Sequence, residues 1–126
     1  MGKKFGVPDD MIESVLQKCQ QLGVNLRGVS FHVGSGGSGF ESFRRTLKHT
    51  QHVFDSWHRL SGKHMDVLDI GGGFTSISPN PLSNFENVAP QVEDYLSKEW
   101  PAKNKHVKII GEPGRQIAEG SLSLCT

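Results

Sequence analysis

The chain has 126 residues, which is enough for one domain and allows about two-thirds of its unfolded surface to be buried. Its 14 Lys and Arg residues nearly balance its 13 Asp and Glu residues, so the net charge of +1 gives no electrostatic case for binding nucleic acid or an anionic membrane. Two cysteines, Cys19 and Cys125, are too few for a disulfide framework and have no metal-ligand spacing, so we expect a cytoplasmic protein without a metal site.

The first predicted helix begins at residues 7–10, where a proline and two acidic residues favour a helix start, and it ends before Gly23. Between these points, apolar residues recur at helical spacing. They are Met11, Ile12, Val15, Leu16, Cys19 and Leu22. Residues 26–33 are rich in Val and Phe and predict a strand, which is followed by a glycine- and serine-rich loop at 34–39.

A second helix is predicted from residue 40 to residues 60–62, because apolar residues keep a 3-4-3-4 spacing on one face. That face consists of Phe40, Phe43, Leu47, Thr50, Phe54 and Trp57. Residues 65–70 predict the second strand, and residues 74–83 form a long polar loop. No apolar run approaches the roughly 20 residues that a membrane helix needs.

A third helix is predicted to begin at Ser83, which has the spacing of a capping box with Glu86. Its predicted buried face consists of Phe85, Val88, Ala89, Val92 and Leu96. Pro90 lies inside this pattern and should kink the helix or delay its regular part. Residues 107–111 predict the third strand, and residues 121–126 predict the start of a fourth.

The predicted elements alternate in the order α-β-α-β-α-β-(β), which favours a parallel β/α architecture. His32, the glycines at 71–73 and Glu112 all fall at the C-terminal ends of predicted strands, where β/α barrels and open α/β sheets place their sites. A complete eight-stranded barrel takes about 250 residues. The predicted fold class is therefore α/β, as about half of a TIM (β/α) barrel.

Three consecutive glycines, residues 71–73, carry the main chemical signal. A backbone without side chains can approach a ligand closely and point its N–H groups at an anion, most often a phosphate. The first strand ends at His32 before a glycine-rich loop, and the third ends in Glu-Pro-Gly-Arg at residues 112–115. These three strand ends predict one shared cofactor that bears a phosphate.

Three segments follow the strand ends in order: residues 30–36 (Ser-Phe-His-Val-Gly-Ser-Gly), 69–74 (Asp-Ile-Gly-Gly-Gly-Phe) and 111–115 (Gly-Glu-Pro-Gly-Arg). Together they resemble the eukaryotic ornithine decarboxylase group, whose pyridoxal-phosphate decarboxylases have an alanine-racemase-like barrel. The resemblance runs from about residue 4 to residue 126, in the family's order and approximate spacing. It implies that residues 1–126 are a central part of the pyridoxal-binding barrel of an enzyme that decarboxylates a basic amino acid. Ornithine, which gives putrescine for polyamine synthesis, is the first substrate implied.

The resemblance also implies roles for the residues of these segments. Glu112 would keep a proton on the ring nitrogen of pyridoxal 5′-phosphate, which is the better electron sink in that state. His32 would stack on the cofactor ring. The other cofactor-binding residues implied are Ser35, Gly71, Gly72, Gly73, Pro113, Gly114 and Arg115. Among these, Arg115 would add a full charge and bidentate geometry for the phosphate.

The sequence departs from the family pattern in its catalytic groups. The family's Schiff-base lysine lies on an early barrel strand, and none of the lysines here sits in a comparable motif. The family's C-terminal β-domain carries a catalytic cysteine, which neither Cys19 nor Cys125 matches. We therefore expect that the early strands and the β-domain lie outside this sequence, and that the chain alone is inactive. The resemblance implies a homodimer for the longer protein.

Two other interpretations stay open. Residues 34–39 contain G-x-G-x-x-G between a strand and a helix, and Asp69 ends the next strand, as in a dinucleotide-binding module; this leaves residues 71–73 and 112–115 unexplained. The second is a non-catalytic, antizyme-inhibitor-like relative that captures a regulatory protein partner, although the retained Glu112 and Arg115 favour cofactor binding. Within the decarboxylases, arginine, lysine and diaminopimelate are alternative substrates, and residues 30–36 look more like the ornithine group.

Overall fold

The structure is a computed structural model that describes residues 6–35, 39–76, 80–100, 104 and 106–121. Helices and short strands alternate along these residues. The helices are α1 (Ile12–Gln21), α2 (Phe40–Ser61), α3 (Phe85–Lys98) and α4 (Gly114–Ala118), and the strands are β1 (Gly28–Ser30), β2 (Val67–Asp69) and β3 (Lys108–Ile110). Short 3-10 turns lie at Asp9–Met11, Pro81–Ser83 and Glu119–Ser121.

The three strands form one parallel sheet in the order β1-β2-β3. Val29, Leu68 and Ile109 lie side by side in its middle, and the C-terminal residues of the strands are likewise in register. Helix α2 connects β1 to β2 and α3 connects β2 to β3, which confirms the predicted parallel β/α order. The fourth predicted strand falls on residues 122–126, outside the described residues, while Ser121 belongs to a 3-10 turn.

The hydrophobic core joins β2 to helices α2 and α3, with a contribution from α1. On α2 the predicted face is buried, with Phe40 half-buried at its beginning. Leu68 of β2 and Leu47 of α2 are completely shielded from solvent, and Val88 and Val92 of α3 are buried as well. The apolar spacing therefore gave the correct core-facing side of α2, whereas Met11 and Leu22 of the first predicted stripe are exposed and the buried Tyr95 of α3 was not predicted.

The predicted stops of the first two helices are confirmed. Gly23 follows α1 with φ of +67°, and Gly62 ends α2 with φ of +71° while its N–H donates to the carbonyl oxygen of His58. Both glycines adopt the left-handed conformation that side chains disfavour. The predicted boundaries of α1 and α2 are therefore correct to within a few residues.

The start of α3 differs from the prediction. Its N-cap is Asn84 rather than Ser83, which is buried in the preceding 3-10 turn and accepts a hydrogen bond from Thr75 Oγ1 through its carbonyl oxygen (3.0 Å). Pro81 begins that turn and moves the helix start one residue along. The helix runs without interruption from Phe85 through Pro90, so the predicted delay of its regular part is wrong.

The strands are shorter than predicted, and α4 was not predicted at all. Each strand covers three residues, although the hydrogen-bond ladder continues from Phe31 N to Asp69 O (3.0 Å) and from Ile70 N to Ile110 O (2.9 Å). Helix α4 begins inside the Glu-Pro-Gly-Arg motif, and Gly114 is its first residue. In the part of the chain that the structure describes, no helix is long and apolar enough to cross a membrane.

An ion pair lies at the N-terminal end of the sheet. Arg27 Nε donates to Asp66 Oδ1 (2.6 Å). Arg27 directly precedes β1, and Asp66 directly precedes β2. The hydrogen bond from Arg27 lowers the pKa of the Asp66 carboxyl below its ordinary value, and the same contact raises the pKa of Arg27. Both side chains are well exposed, so the pair is a surface feature at the end of the sheet opposite to the glycine motif.

Candidate functional site

The C-terminal ends of the three strands bring the sequence motifs together. Ser30, Asp69 and Ile110 are aligned across the sheet, so the segments that follow them leave from one edge. Glu112 N donates to Gly71 O (2.9 Å), which joins the ends of β2 and β3 beyond the last strand residues. The parallel register therefore places the His32, glycine and Glu112 segments side by side, as predicted.

The three glycines form a tight turn, here called the glycine turn (residues 71–73). Gly71 has φ of +60° and Gly73 has φ of +102°. A Cβ atom at Gly73 would lie 2.7 Å from Val33 Cγ2 and 2.8 Å from Gly34 O, and one at Gly71 would overlap the carbonyl oxygen of Phe31. Only residues without side chains fit here, because the segment after β1 packs directly on the turn.

The backbone donors of the glycine turn are only partly used. Gly71 N donates to Asp69 Oδ1 (2.8 Å). Among the residues that the structure describes, no group accepts a hydrogen bond from the N–H of Gly72 or Gly73. Gly72 is buried, and a buried backbone N–H normally has a partner. The turn therefore offers two donors that an anion could satisfy.

His32 lies against the middle of the glycine turn. A Cβ atom at Gly72 would approach His32 Nε2 to 3.1 Å and Glu112 O to 2.8 Å. His32 Nδ1 accepts a hydrogen bond from Gly34 N (2.9 Å). That bond requires an unprotonated Nδ1, so the neutral ring carries its proton on Nε2. The imidazole is thus held in one orientation beside the glycine turn.

Asp69 links two of the strand ends, a role that the sequence prediction missed. Its Oδ1 accepts from Gly71 N (2.8 Å) and its Oδ2 accepts from Ser30 Oγ (3.2 Å), a residue that is 39 positions away in the chain. From the sequence, the only role predicted for the Asp69 side chain was that of an acid that binds ribose in a dinucleotide-binding module. An aspartate two residues before a glycine in a turn is a recognisable Asx-turn signal, and that signal could have identified the contact with Gly71.

The Glu-Pro-Gly-Arg segment leaves β3 and begins α4. Gly114 N donates to Glu112 O (2.8 Å), with Pro113 at the helix N-cap. The Glu112 side chain is exposed, and Arg115 Nε donates to Glu119 Oε1 (2.9 Å). Arg115 thus lies just after the end of β3, in the group of segments after the strand ends that also holds His32, the glycine turn and Glu112 (here called the strand-end cluster). Its observed partner is Glu119, the residue that directly follows α4.

Glu119 was also missed by the sequence prediction. Its Oε2 accepts from Ser76 N (2.9 Å) and from Ser76 Oγ (3.2 Å), 43 residues away in the chain. Ser76 lies three residues after the glycine turn. No local sequence signal marks this contact, because it depends on how α4 packs beside the loop that follows β2.

Ser35 is the predicted site residue that the structure does not connect to the others. It is exposed in a turn, and within the described ranges it makes no hydrogen bond to the glycine turn or to Arg115. Residues 36–38, in the middle of the G-x-G-x-x-G pattern at 34–39, lie outside the described residues. In the described part of the chain, no group of three His, Cys, Asp or Glu side chains could hold a metal ion.

A groove of about 770 Å³ lies between α1 and α2, beside the edge of β1 that pairs with no other strand in the described part of the chain. Most of its lining side chains are apolar, and His32 and Glu112 are the predicted site residues among them. The glycine turn does not line it. The groove therefore adjoins the strand-end cluster without enclosing the free backbone donors.

Comparison with known proteins assigns the chain to a family. Residues 1–119 match the family described as "Pyridoxal-dependent decarboxylase, pyridoxal binding domain". An ornithine decarboxylase of Caenorhabditis elegans is 37% identical over 123 residues, which cover 96% of this chain and 28% of that protein. The chain thus spans less than a third of the length of the curated relatives it matches.

Two solved structures show the same fold. The ornithine decarboxylase from Entamoeba histolytica has a TM-score of 0.77 at 36% identity, over 91% of this chain and 32% of that one. The arginine decarboxylase of Paramecium bursaria Chlorella virus has a TM-score of 0.76 at 31% identity, over 92% of this chain and 30% of that one. The predicted partial β/α barrel and its pyridoxal-phosphate cofactor are confirmed at the family level. This chain therefore belongs to the pyridoxal-dependent decarboxylases, within their pyridoxal-binding domain.

Proposed function

We propose that this chain supplies the phosphate- and ring-binding part of the cofactor site in an enzyme that decarboxylates a basic amino acid, with ornithine as the first substrate. The observation that carries the proposal is the glycine turn. The N–H groups of Gly72 and Gly73 have no acceptor among the described residues, and Gly72 lies beside the oriented His32 ring and the backbone of Glu112. No other part of the described chain combines free backbone donors with ring and carboxyl groups from neighbouring strand ends.

The chemistry of the glycine turn fits a phosphate group. The N–H groups of Gly72 and Gly73 are donors without a hydrogen-bond acceptor among the described residues, and Arg115 provides a cation after the next strand end. Backbone N–H groups in such a turn, together with an arginine, are the usual recognition elements for phosphate oxygens. We propose that residues 71–73, Gly114 and Arg115 hold the phosphate, with Ser35 as a further contact.

His32 and Glu112 would orient the ring of the cofactor. The hydrogen bond from Gly34 N fixes the plane of the His32 imidazole, which supports a role in stacking on a flat ring. The exposed Glu112 carboxylate would keep a proton at the ring nitrogen. When bound, pyridoxal phosphate supplies an electron sink for the electron pair that departing carbon dioxide leaves behind. The residues of this chain would thus bind and orient, while the acid-base groups at the reacting carbon come from elsewhere in the longer protein.

The proposed substrate is supported by one sequence segment and by the names of similar proteins. Ornithine is supported by the amino-acid sequence of residues 30–36, which resembles the ornithine group, and by the names of two of the similar proteins described above. Arginine is the alternative, supported by the viral arginine decarboxylase that is similar over the same residues. The homodimer and the regulatory protein partner are predictions from the family resemblance, and the cytoplasmic setting is a prediction from the cysteine content.

The proposal is tested by titrating the 126-residue chain with pyridoxal phosphate in equilibrium dialysis, with pyridoxal as the ligand that lacks the phosphate. We expect saturable binding of pyridoxal phosphate, and a loss of about tenfold or more in Arg115→Ala, since a charge-assisted contact contributes about 1.5–3 kcal/mol. Arg45→Ala is the matched control, because Arg45 is exposed on α2. Equal binding of both ligands, or no binding by a chain that is folded by circular dichroism, would contradict the proposal.

A further inference from the structure

Glu119 connects two parts of the strand-end cluster, Arg115 of α4 and the loop that contains Ser76. Its side chain is only 15% exposed, whereas that of its partner Arg115 is 55% exposed. Oε1 accepts from Arg115 Nε, and Oε2 accepts from the N–H and the hydroxyl of Ser76. An ordinary ion pair between helix positions i and i+4 uses one contact at the surface. Here the second oxygen reaches a loop in a different part of the chain.

We infer that Glu119 is a positioning residue for phosphate binding, which holds Arg115 and the loop after the glycine turn in a fixed relation. This inference rests on the function proposed above. With Nε bound to Glu119, the guanidinium plane of Arg115 is oriented, and its Nη groups are left to donate to an anion. Among the described residues, only Glu119 pairs with this guanidinium.

Glu119 also fixes the geometry of the glycine turn from its C-terminal side. Asp69 holds the first residue of the turn through Gly71 N, and Glu119 holds Ser76, three residues beyond its last glycine. The two carboxylates thus constrain the backbone on both sides of the free Gly72 and Gly73 donors. A preorganised set of donors binds an anion more tightly than a mobile one, because less conformational freedom is lost on binding.

The negative charge of Glu119, unlike its hydrogen bonds, would weaken the binding of a phosphate. A carboxylate next to Arg115 partly neutralises the cation that would attract the phosphate. Because Arg115 is more than half exposed, water weakens this effect, whereas the three accepted hydrogen bonds constrain both partners directly. We therefore expect that removal of Glu119 weakens binding of pyridoxal phosphate rather than strengthening it.

The test is a double-mutant cycle on the 126-residue chain with pyridoxal phosphate as the probe. We expect Glu119→Ala to weaken binding about tenfold in the wild-type background but no more than about threefold in the Arg115→Ala background. Affinity for pyridoxal should not change. Glu119→Gln keeps the size of the side chain and replaces one acceptor by a donor, so an intermediate loss is expected. Glu93→Ala, at an exposed position on α3, is the matched control.

A second readout does not depend on binding. The Arg115 Nε–H and Ser76 amide protons should be protected from exchange in the wild-type chain, and Glu119→Ala should remove that protection. Unchanged affinity in Glu119→Ala, tighter binding in Glu119→Gln, or equal losses in both backgrounds would overturn the inference while the proposed function stands. A folded wild-type chain that does not bind pyridoxal phosphate would overturn the proposed function and this inference with it.

Discussion

Replacing Gly71 by alanine should destabilise the protein far more than the same change at Gly62. Both glycines have left-handed φ values, +60° and +71°, so both substitutions carry the same backbone strain of about 1–2 kcal/mol. At Gly62 nothing lies within 4 Å of the new Cβ atom. At Gly71 the Cβ would overlap the carbonyl oxygen of Phe31 and lie 3.3 Å from His32 Cα, both of which are backbone atoms that cannot rotate away.

The clash at Gly71 would push apart the ends of β1 and β2. Overpacking of this kind lowers the unfolding free energy by about 1–3 kcal/mol. Weakening of the hydrogen bond from Phe31 N to Asp69 O (3.0 Å) would lower it by about 1 kcal/mol more. We therefore expect a loss of unfolding free energy of about 4 kcal/mol for Gly71→Ala and about 1 kcal/mol for Gly62→Ala.

Urea unfolding measures both losses, because the chain has two tryptophans, Trp57 and Trp100, and both are buried. Their fluorescence reports exposure of the core on unfolding. If Gly71→Ala were no less stable than Gly62→Ala, the close approach of the β1 and β2 ends would be wrong, and with it the reason that the glycine turn excludes side chains.

Three further predictions concern the rest of the fold. Arg27→Ala should raise the pKa of Asp66 toward its ordinary value of 3.8, which an NMR titration measures. A lowered pKa stabilises the fold at pH values above the unfolded pKa, and this stability is lost as the pH falls through the folded pKa. The wild-type chain should therefore lose more stability than the variant below about pH 4. Leu68→Ala should cost about 2–5 kcal/mol in urea unfolding, and Leu22→Ala less than about 0.5 kcal/mol, because Leu68 is fully buried and Leu22 is 66% exposed; equal losses would place the core elsewhere. Burial raises the pKa of Tyr95, the single tyrosine, so its ultraviolet absorbance should titrate above pH 10.0 and stability should fall as the pH rises past that value; titration at the ordinary pKa would show that Tyr95 is exposed.

The sequence was sufficient for features that depend on local spacing. The 3-4-3-4 pattern of α2 and the glycine at its end follow from helical geometry within one segment, so both its face and its C-terminal boundary could be predicted. The parallel order followed from strands that alternate with long helices. That order alone placed His32, the glycine turn and Glu112 at one edge, because the C-terminal ends of parallel strands meet there.

Only the tertiary structure decided which atoms in this cluster touch. The capping-box spacing at Ser83 was satisfied in sequence, yet Asn84 caps α3, because the turn begun at Pro81 buries Ser83 against Thr75. The contacts of Asp69 with Ser30 and of Glu119 with Ser76 join residues 39 and 43 positions apart. Such contacts are set by strand register and by the packing of α4, neither of which leaves a periodic signal in the sequence, so local patterns could locate the site but not its hydrogen bonds.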